Sequence, residues 1–300
     1  MNHYEMYKLL EFIDDSLLNW KELSLNENAI SLLKANPDRI NWEMLSRNEN
    51  AIPILEANVN KINWEMLSRN ENAISILKAN PTKINWNILS MNPNAIPLLE
   101  ANPEKINWNY LSMNRNAIHL LEAHPERIDW IYISNNPNAI PLLEAYPEKI
   151  YWRFLSKNPN PKAIALLEAH PERIDWSQLS TNPSAIHLLE AHPENIDWRI
   201  LSINENAIHL LETNLEKINW SYFSLNKNPK AIEIWKKYID TDNYNRSLLF
   251  YSYISRYPYI FTHDYSMIKK RMNIFFEELM QKSWHPSRVQ KWVDAEFDSD

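Results

Sequence analysis

The chain contains no cysteine and no glycine among its 300 residues. Without cysteine there are no disulfides, thiolate metal sites or cysteine nucleophiles, and cysteine usage says nothing about the redox compartment. Without glycine, phosphate-cradling loops are excluded, as is any fold that depends on frequent positive-φ turns. No stretch approaches the ~18 apolar residues of a membrane span, and the start, Met1-Asn2-His3-Tyr4-Glu5-Met6-Tyr7, lacks the basic and apolar parts of a secretory signal peptide. An intracellular soluble protein with no membrane partner is the expectation. An excess of positive charge is also missing: 31 Lys and Arg against 38 Asp and Glu leave a net charge of −7. That balance disfavours nucleic acid and anionic lipid as partners.

What the chain does have is tryptophan at a fixed interval. Trp20, Trp42, Trp64, Trp86, Trp108, Trp130, Trp152, Trp176, Trp198 and Trp220 stand 22 residues apart, with one step of 24 between Trp152 and Trp176. A short unit recurring along most of the chain overrides the usual estimate of domain number from length. Residues 84–105 show the pattern: Ile-Asn-Trp-Asn-Ile-Leu-Ser-Met-Asn-Pro-Asn-Ala-Ile-Pro-Leu-Leu-Glu-Ala-Asn-Pro-Glu-Lys. The spacing predicts two short helices per unit. The first begins after Asn85 (Asp129, Asp175 or Asp197 elsewhere), whose side chain accepts from the first free amides. The second is expected to begin with Asn94 as its N-cap, so that Pro97 falls where a missing N–H costs nothing, and to stop at Asn102-Pro103. Two units carry an insertion, Asn160-Pro161-Lys162 and Asn228-Pro229-Lys230, which reads as an Asn cap followed by Pro at the first helical position.

Helices of six to eight residues lie well below the ~12–15 needed for marginal stability in water, so neighbouring units must supply the stability by stacking. The fold expected is all-α: an α-solenoid of about ten stacked two-helix 22-residue repeats over residues 16–237. Residues 1–15 are expected to form an N-terminal capping helix, and residues 238–300 a Tyr-rich helical C-terminal module with helices over 267–282 and around Trp292. At ~8–10 Å per unit the solenoid would be an elongated, gently curved rod on the order of 90 Å long. The competitor is a β-solenoid of leucine-rich-repeat type, whose period of about 20–29 residues includes 22 and whose units also bury asparagine. It needs a Leu-x-Leu strand, whereas here apolar residues follow i, i+3 and i+4 and proline enters where a strand would need its N–H.

The unit Leu-Ser-x-Asn-x-Asn-Ala-Ile-x-Leu-Leu-Glu-Ala-Asn-Pro-Glu-Lys-Ile-Asn-Trp, clean at residues 89–108, resembles the short tryptophan repeats of uncharacterised proteins from giant nucleocytoplasmic DNA viruses. The likeness covers about residues 16–235, and Asp264-Tyr265, Glu277-Glu278-Leu279 and His285-Pro286-Ser287-Arg288 are similar to the ends of such proteins. The resemblance implies a helical repeat of viral origin, located in host cytoplasm or virion. It carries no activity, no catalytic residues and no cofactor to transfer.

The chemistry-bearing columns read as structural. His119 and His124, like His187 and His192, are five apart, which is wrong for one helical face and for the usual zinc spacings. One glutamate per unit, as at Glu100 and Glu122, runs beside a basic column of Lys105, Arg127, Lys149, Arg173 and Lys217, which suits surface charge balancing better than acid–base pairs. The Asn columns could read bases as one-per-repeat RNA binders do, but capping explains them more cheaply. No catalytic, cofactor or metal site is therefore expected.

The positions that vary between units are freer of fold duties and are the candidate partner-binding residues. Two residues after each Trp run Met44, Met66, Ile88, Tyr110, Tyr132 and Phe154, continuing as Gln178, Ile200 and Tyr222. Exposed, this ribbon would be an interaction stripe; buried, it would be inter-repeat core. His119, His187 and His209 belong to a second variable column, before the Leu-Leu pair, that is expected to be exposed. The functional expectation is a non-enzymatic protein-interaction scaffold binding a viral or host protein, with a structural virion or assembly component (spacer or cement protein) as the alternative.

Overall fold

The computed structural model describes residues 7–11, 13–239, 251–266, 268–269 and 272–273. It is an all-α solenoid of ten repeats. In each, a first helix of four to six residues starts at the Trp, as in Trp86–Ser90, and a second follows, as in Ile96–Glu100; in the first nine a 3₁₀ turn such as Pro103–Lys105 leads into the next unit. Asn85 caps the first helix by accepting from the Ile88 amide at 3.2 Å, and Asp129, Asp175 and Asp197 do the same in their own units.

The core is one continuous column of stacked layers. Leu89, Ala95 and Leu99 are fully buried, as are the residues in the same places of neighbouring units, such as Leu67, Ala73 and Leu77 before them and Leu111, Ala117 and Leu121 after. The indoles are half-buried against this column. Over them lies the basic column of the following turn: Lys105 Nζ sits 4.6 Å from the Trp86 ring, and the Arg127 guanidinium 5.0 Å from Trp108. The basic residues expected to balance surface charge thus also cover the tryptophans, through cation–π contact.

What joins the repeats is a ladder of buried polar side chains. Asn114 Nδ2 donates to the Ser90 carbonyl (3.0 Å) and the Asn92 carbonyl (2.9 Å) of the preceding unit, while its Oδ1 accepts from the Asn116 amide at 3.0 Å. Ser90 Oγ donates to Trp86 O at 2.8 Å and accepts from the Asn107 amide of the next unit at 2.9 Å. The pattern repeats from Asn48 to Asn226, with every such Asn 0–2% exposed. Each Asn therefore meets three backbone groups that would otherwise be buried and unpaired.

The ladder changes the assignment of caps. Asn94 does not cap the second helix: its Nδ2 reaches back to the Glu71 carbonyl at 3.0 Å, and the α-helix starts at Ile96 with Ala95 at the cap position and no side-chain bond. Asn92, the ladder residue, caps the preceding 3₁₀ turn Pro93–Ala95 instead. Of the two units with the insertion, one shows the expected arrangement: Asn160 caps Pro161–Ala169, accepting from the Lys162 amide at 2.9 Å; in the other, Asn228 accepts from the Lys230 amide at 2.9 Å but the helix starts at Ala231, past Pro229.

The same ladder bends the solenoid. Helices pack ~8–10 Å apart, whereas side chains as short as asparagine hold neighbouring backbones at roughly the ~5 Å of paired strands. Across a unit about one helix diameter thick, ~10 Å, the mismatch is a wedge on the order of 25° per repeat, and ten units sweep most of a turn. The result is a ring rather than the gently curved rod of the sequence reading.

The ring closes through the C-terminal segment. Residues 251–254 are helical and Pro258–Ile260 form a 3₁₀ turn, which places Tyr251, Ile254, Ser255 and Tyr257 where a repeat has Trp, Leu, Ser and Asn. This unit stacks in front of the first repeat by the regular ladder. Asn26 Nδ2 donates to Ser255 O (3.1 Å) and Tyr257 O (2.9 Å), the Asn19 amide to Ser255 Oγ (2.8 Å), and Asn28 Nδ2 to Pro258 O (3.1 Å). On its other side the Tyr257 hydroxyl donates to the Asn228 carbonyl of the last repeat.

Two three-residue strands add to the closure, Tyr7–Leu9 antiparallel to Phe261–His263, with Lys8 opposite Thr262. The capping helix expected over residues 1–15 is thus replaced, where described, by a strand and the 3₁₀ turn Asp15–Leu17. The apolar Leu9 and Leu10 pack on the core without needing a helical period, because the partner is an edge of backbone and not a helix face. The module expected over 238–300 is, in its part 251–260, an eleventh solenoid unit; the helices expected over 267–282 and around Trp292 lie for the most part outside the described residues.

Candidate functional site

The ladder positions are nearly invariant between repeats, so differences concentrate on the remaining surfaces. Met44, Met66, Ile88, Tyr110, Tyr132 and Phe154 are all half-buried. Their first helices start at the same offset, so they form one column along consecutive repeats, neither sealed in the core nor standing free. Tyr132 and Phe154 meet edge to face with centroids 6.3 Å apart, and farther on Arg199 lies 5.7 Å over the Tyr222 ring. Side chains this large, partly covered by their own neighbours, keep a defined shape while leaving apolar area open.

His119, His187 and His209 do not form one site. Each reaches to the glutamate of the preceding unit: His119 Nε2 to Glu100 Oε1 at 3.0 Å, His187 to Glu168 at 2.9 Å and His209 to Glu190 at 2.8 Å. All six partners are about half exposed, so these are surface tethers between repeats. His124, His170 and His192 instead end second helices and pack edge-on or tilted against Trp108, Trp152 and Trp176, with centroids 4.9–5.0 Å apart. Among the described residues there is no group of three or more His, Cys, Asp or Glu able to hold a metal ion. No described helix is long and apolar enough to cross a membrane.

Sequence reasoning missed one departure beside the ribbon. In three places the residue before a Trp meets the residue after the previous Trp: Asn107 Nδ2 donates to Asn87 Oδ1 (3.0 Å), Ser177 Oγ to Asp197 Oδ2 (2.9 Å), and Arg153 Nε lies 3.6 Å from Asp175 Oδ2. In the seventh unit this register places Tyr151 beside Ile131. All nine other units have Asn or Asp before the Trp, and Ile131 is the single apolar residue in the column after it. Tyr151 makes no side-chain cap bond to the helix Trp152–Leu155, and 48% of it is exposed. A polar rail becomes apolar at one point, next to Tyr132 and Phe154. The signal was available in the sequence as the one break in an Asn/Asp column.

A second feature follows from closure. Where the first two repeats face the last two and residues 256–258, a cavity of about 350 Å³ opens, lined among others by Leu25, Glu27, Arg47, Glu49, Lys227 and Arg256. Burial and then the neighbouring guanidiniums of Arg69 and Arg256 hold Arg47 below the usual arginine range. Burial pushes the Glu49 carboxyl up, Glu27 and Glu71 add to it, and Lys227 and Arg115 act in the opposite direction. Arg47, Arg69 and Arg256 thus share one column of the inner face and Glu27, Glu49 and Glu71 the next, where Arg115 and Lys227 partly offset them. Arg115 also crosses two repeats to pair with Glu71 at 3.0 Å, which shows how tightly the inner face is drawn together.

No protein-family model, no curated protein and no solved structure matches the chain.

Proposed function

We propose that the chain is a non-enzymatic protein-interaction scaffold of giant-virus type, and that it holds a viral or host protein against the ribbon from Met44 to Phe154. The observation that carries this reading is Tyr151. One unit gives up a helix cap, worth about 1 kcal/mol in comparable positions, and exposes an aromatic ring in register with Ile131, in the column beside that of Tyr132 and Phe154. A local loss of stability in return for an exposed aromatic anchor is what a binding hot spot requires, since such anchors dominate interface energy. The ring stiffens the platform, which reduces the entropy lost when a partner docks.

The test uses Tyr151→Asn, which restores the column residue. Partners cross-linked to the native protein in its host are identified and purified, and their affinities for the wild type and the variant are compared. A loss of at least about tenfold in affinity by a variant that folds as well as or better than wild type supports the scaffold. Unchanged affinity removes the ribbon from consideration. A stoichiometric copy number in purified particles, with no partner lost on substitution, would favour a spacer or cement protein instead.

A further inference from the structure

We propose that the cavity at the ring joint is a binding site for a small zwitterion, a molecule carrying one ammonium group and one phosphate or carboxylate group. This inference does not depend on the scaffold reading.

The cavity brings arginines and glutamates together from adjacent columns. Arg47 and Arg256 come from the column one residue after the buried Ser, and Glu27 and Glu49 from the column one residue after the ladder Asn, where Lys227 also lines the cavity. The groups that weigh on Arg47 are other arginines, and the first charged groups that weigh on Glu49 are other glutamates. The two sets therefore lie side by side, with Lys227 and Arg115 offsetting the carboxylates only in part. Arg69 is likewise turned to a soft acceptor, its Nη2 lying 3.7 Å from Met91 Sδ.

The backbone does not require these charges. The arginine column is filled elsewhere by Leu25, Met91, Met113, Asn135, Lys157, Thr181, Ile203 and Leu225, all on the same ladder. Like charges drawn together in a partly desolvated space cost stability, and a fold that can use leucine there has no structural need of them. One ligand relieves both sets at once if its anionic end meets the guanidiniums and its ammonium end meets the carboxylates, with charge-assisted hydrogen bonds at each end. A purely anionic ligand would relieve the arginines and aggravate the glutamates. Leu25, Ile203 and Leu225 supply an apolar wall for the body between the two ends, and the volume lies in the usual range for a small-molecule site.

Arg256, Tyr257 and Pro258 belong to the closing unit, whereas Arg47 and Glu49 belong to the second repeat. A bound zwitterion would bridge them, so occupancy and closure are coupled.

The experiment is calorimetric titration of the full chain at ~50 mM salt, where screening is modest. O-phosphoethanolamine and L-leucine are the zwitterionic probes, with inorganic phosphate, acetate and ethylammonium as single-charge probes. The expected result is that one or both zwitterions bind at least about tenfold more tightly than any single-charge probe. Phosphoethanolamine alone identifies a phosphate headgroup source, and leucine alone an amino-acid source. Arg47→Gln, Arg256→Gln and Glu49→Gln should each weaken binding about tenfold, whereas Glu104→Gln on the outer 3₁₀ turn should not. The bound probe should also slow hydrogen exchange at residues 254–260. Three results would overturn the proposal: phosphate binding as tightly as the zwitterions, no heat from any probe at ~10 mM, or wild-type affinity in the folded Arg256→Gln chain.

Discussion

The regular interfaces inside the ring and the joint that closes it do the same task with different residues. Between interior repeats, one asparagine amide satisfies two carbonyls and one N–H at distances of 2.8–3.2 Å, for instance at Asn92, Asn114 and Asn204. At the joint, the first repeat receives residues 251–260 through the same ladder, but on the far side a tyrosine stands where asparagine belongs. Tyr257 reaches past the ladder with a single phenol bond to Asn228, and the space left beside it is the cavity. Ser224, in the tenth repeat, is 8% exposed where the serines of the preceding repeats are at 0%. Among the described residues, the regular ladder satisfies the buried backbone between repeats, whereas the joint at Tyr257 adds volume and charge.

The sharpest way to break that contrast is to remove an interior rung. Asn114→Ala leaves two buried carbonyls and the Asn116 amide without their partner. At about 1–3 kcal/mol for each unsatisfied buried group, a loss of several kcal/mol is expected. Because stability in a solenoid is passed between neighbours, chemical denaturation should change from one cooperative transition to two, with the fourth and fifth repeats as the break. A single unshifted transition would show that the ladder is incidental to the stacked apolar layers.

Weakening the joint should cost less and stay local. Ser255→Ala removes the hydroxyl that accepts from the Asn19 amide, an expected loss of about 1–2 kcal/mol. Hydrogen exchange should quicken at residues 7–30 and 251–263 while the middle repeats keep their protection. Uniform loss of protection around the ring would mean that joint and interior are one cooperative unit and that the contrast is only geometric.

Much of this architecture was legible in the sequence. The period, the Trp and Leu layers, the Asp and Asn caps of the first helices and the capped insertion at Asn160 all follow from local chemistry that every unit repeats. The long-range consequences were harder to read. That Asn92 spends its amide on the preceding unit, leaving Ala95 to start the next helix, depends on a backbone 22 residues away. The ring depends on the small mismatch between amide-ladder and helix spacing, which is invisible in one repeat and decisive over ten. The closing unit was concealed because Tyr251 replaces Trp and Tyr257 replaces Asn, although Ile254-Ser255-Arg256-Tyr257-Pro258 keeps the outline of Leu-Ser-x-Asn-Pro. For the candidate surface, the ribbon could be listed from spacing alone, but its half-burial and the contact of Tyr132 with Phe154 required the stacked geometry.

The seventh unit offers a gain instead of a loss. Tyr151→Asn should restore a cap to Trp152–Leu155 and raise stability by about 0.5–1 kcal/mol, read as a higher denaturation midpoint with an unchanged slope. The other units already carry Asn or Asp at this position. If the variant is no more stable, the tyrosine contributes as much by packing as the cap would, and its exposure loses its meaning as a sacrifice.

The smallest effect belongs to Glu49 at the joint, and its sign is the informative part. Burial and the neighbouring Glu27 and Glu71 raise its carboxyl in the folded state above the unfolded value. The folded chain then holds more protons than the unfolded chain between those two values, so this group's contribution to stability falls as pH rises through that window and recovers on acidification. Asp14 acts in the opposite direction: the bonds from the Ser16 hydroxyl and amide hold its carboxyl below its usual value, so its contribution is lost as pH falls. Glu49→Gln should therefore leave the chain slightly more stable at neutral pH, with the difference vanishing below the carboxylate range. Denaturation midpoints from pH 4 to pH 8 measure this directly. A variant less stable than wild type at pH 7 would mean that Lys227 and Arg115 already compensate the carboxylate, and that the joint is no more strained in its charges than the interior of the ring.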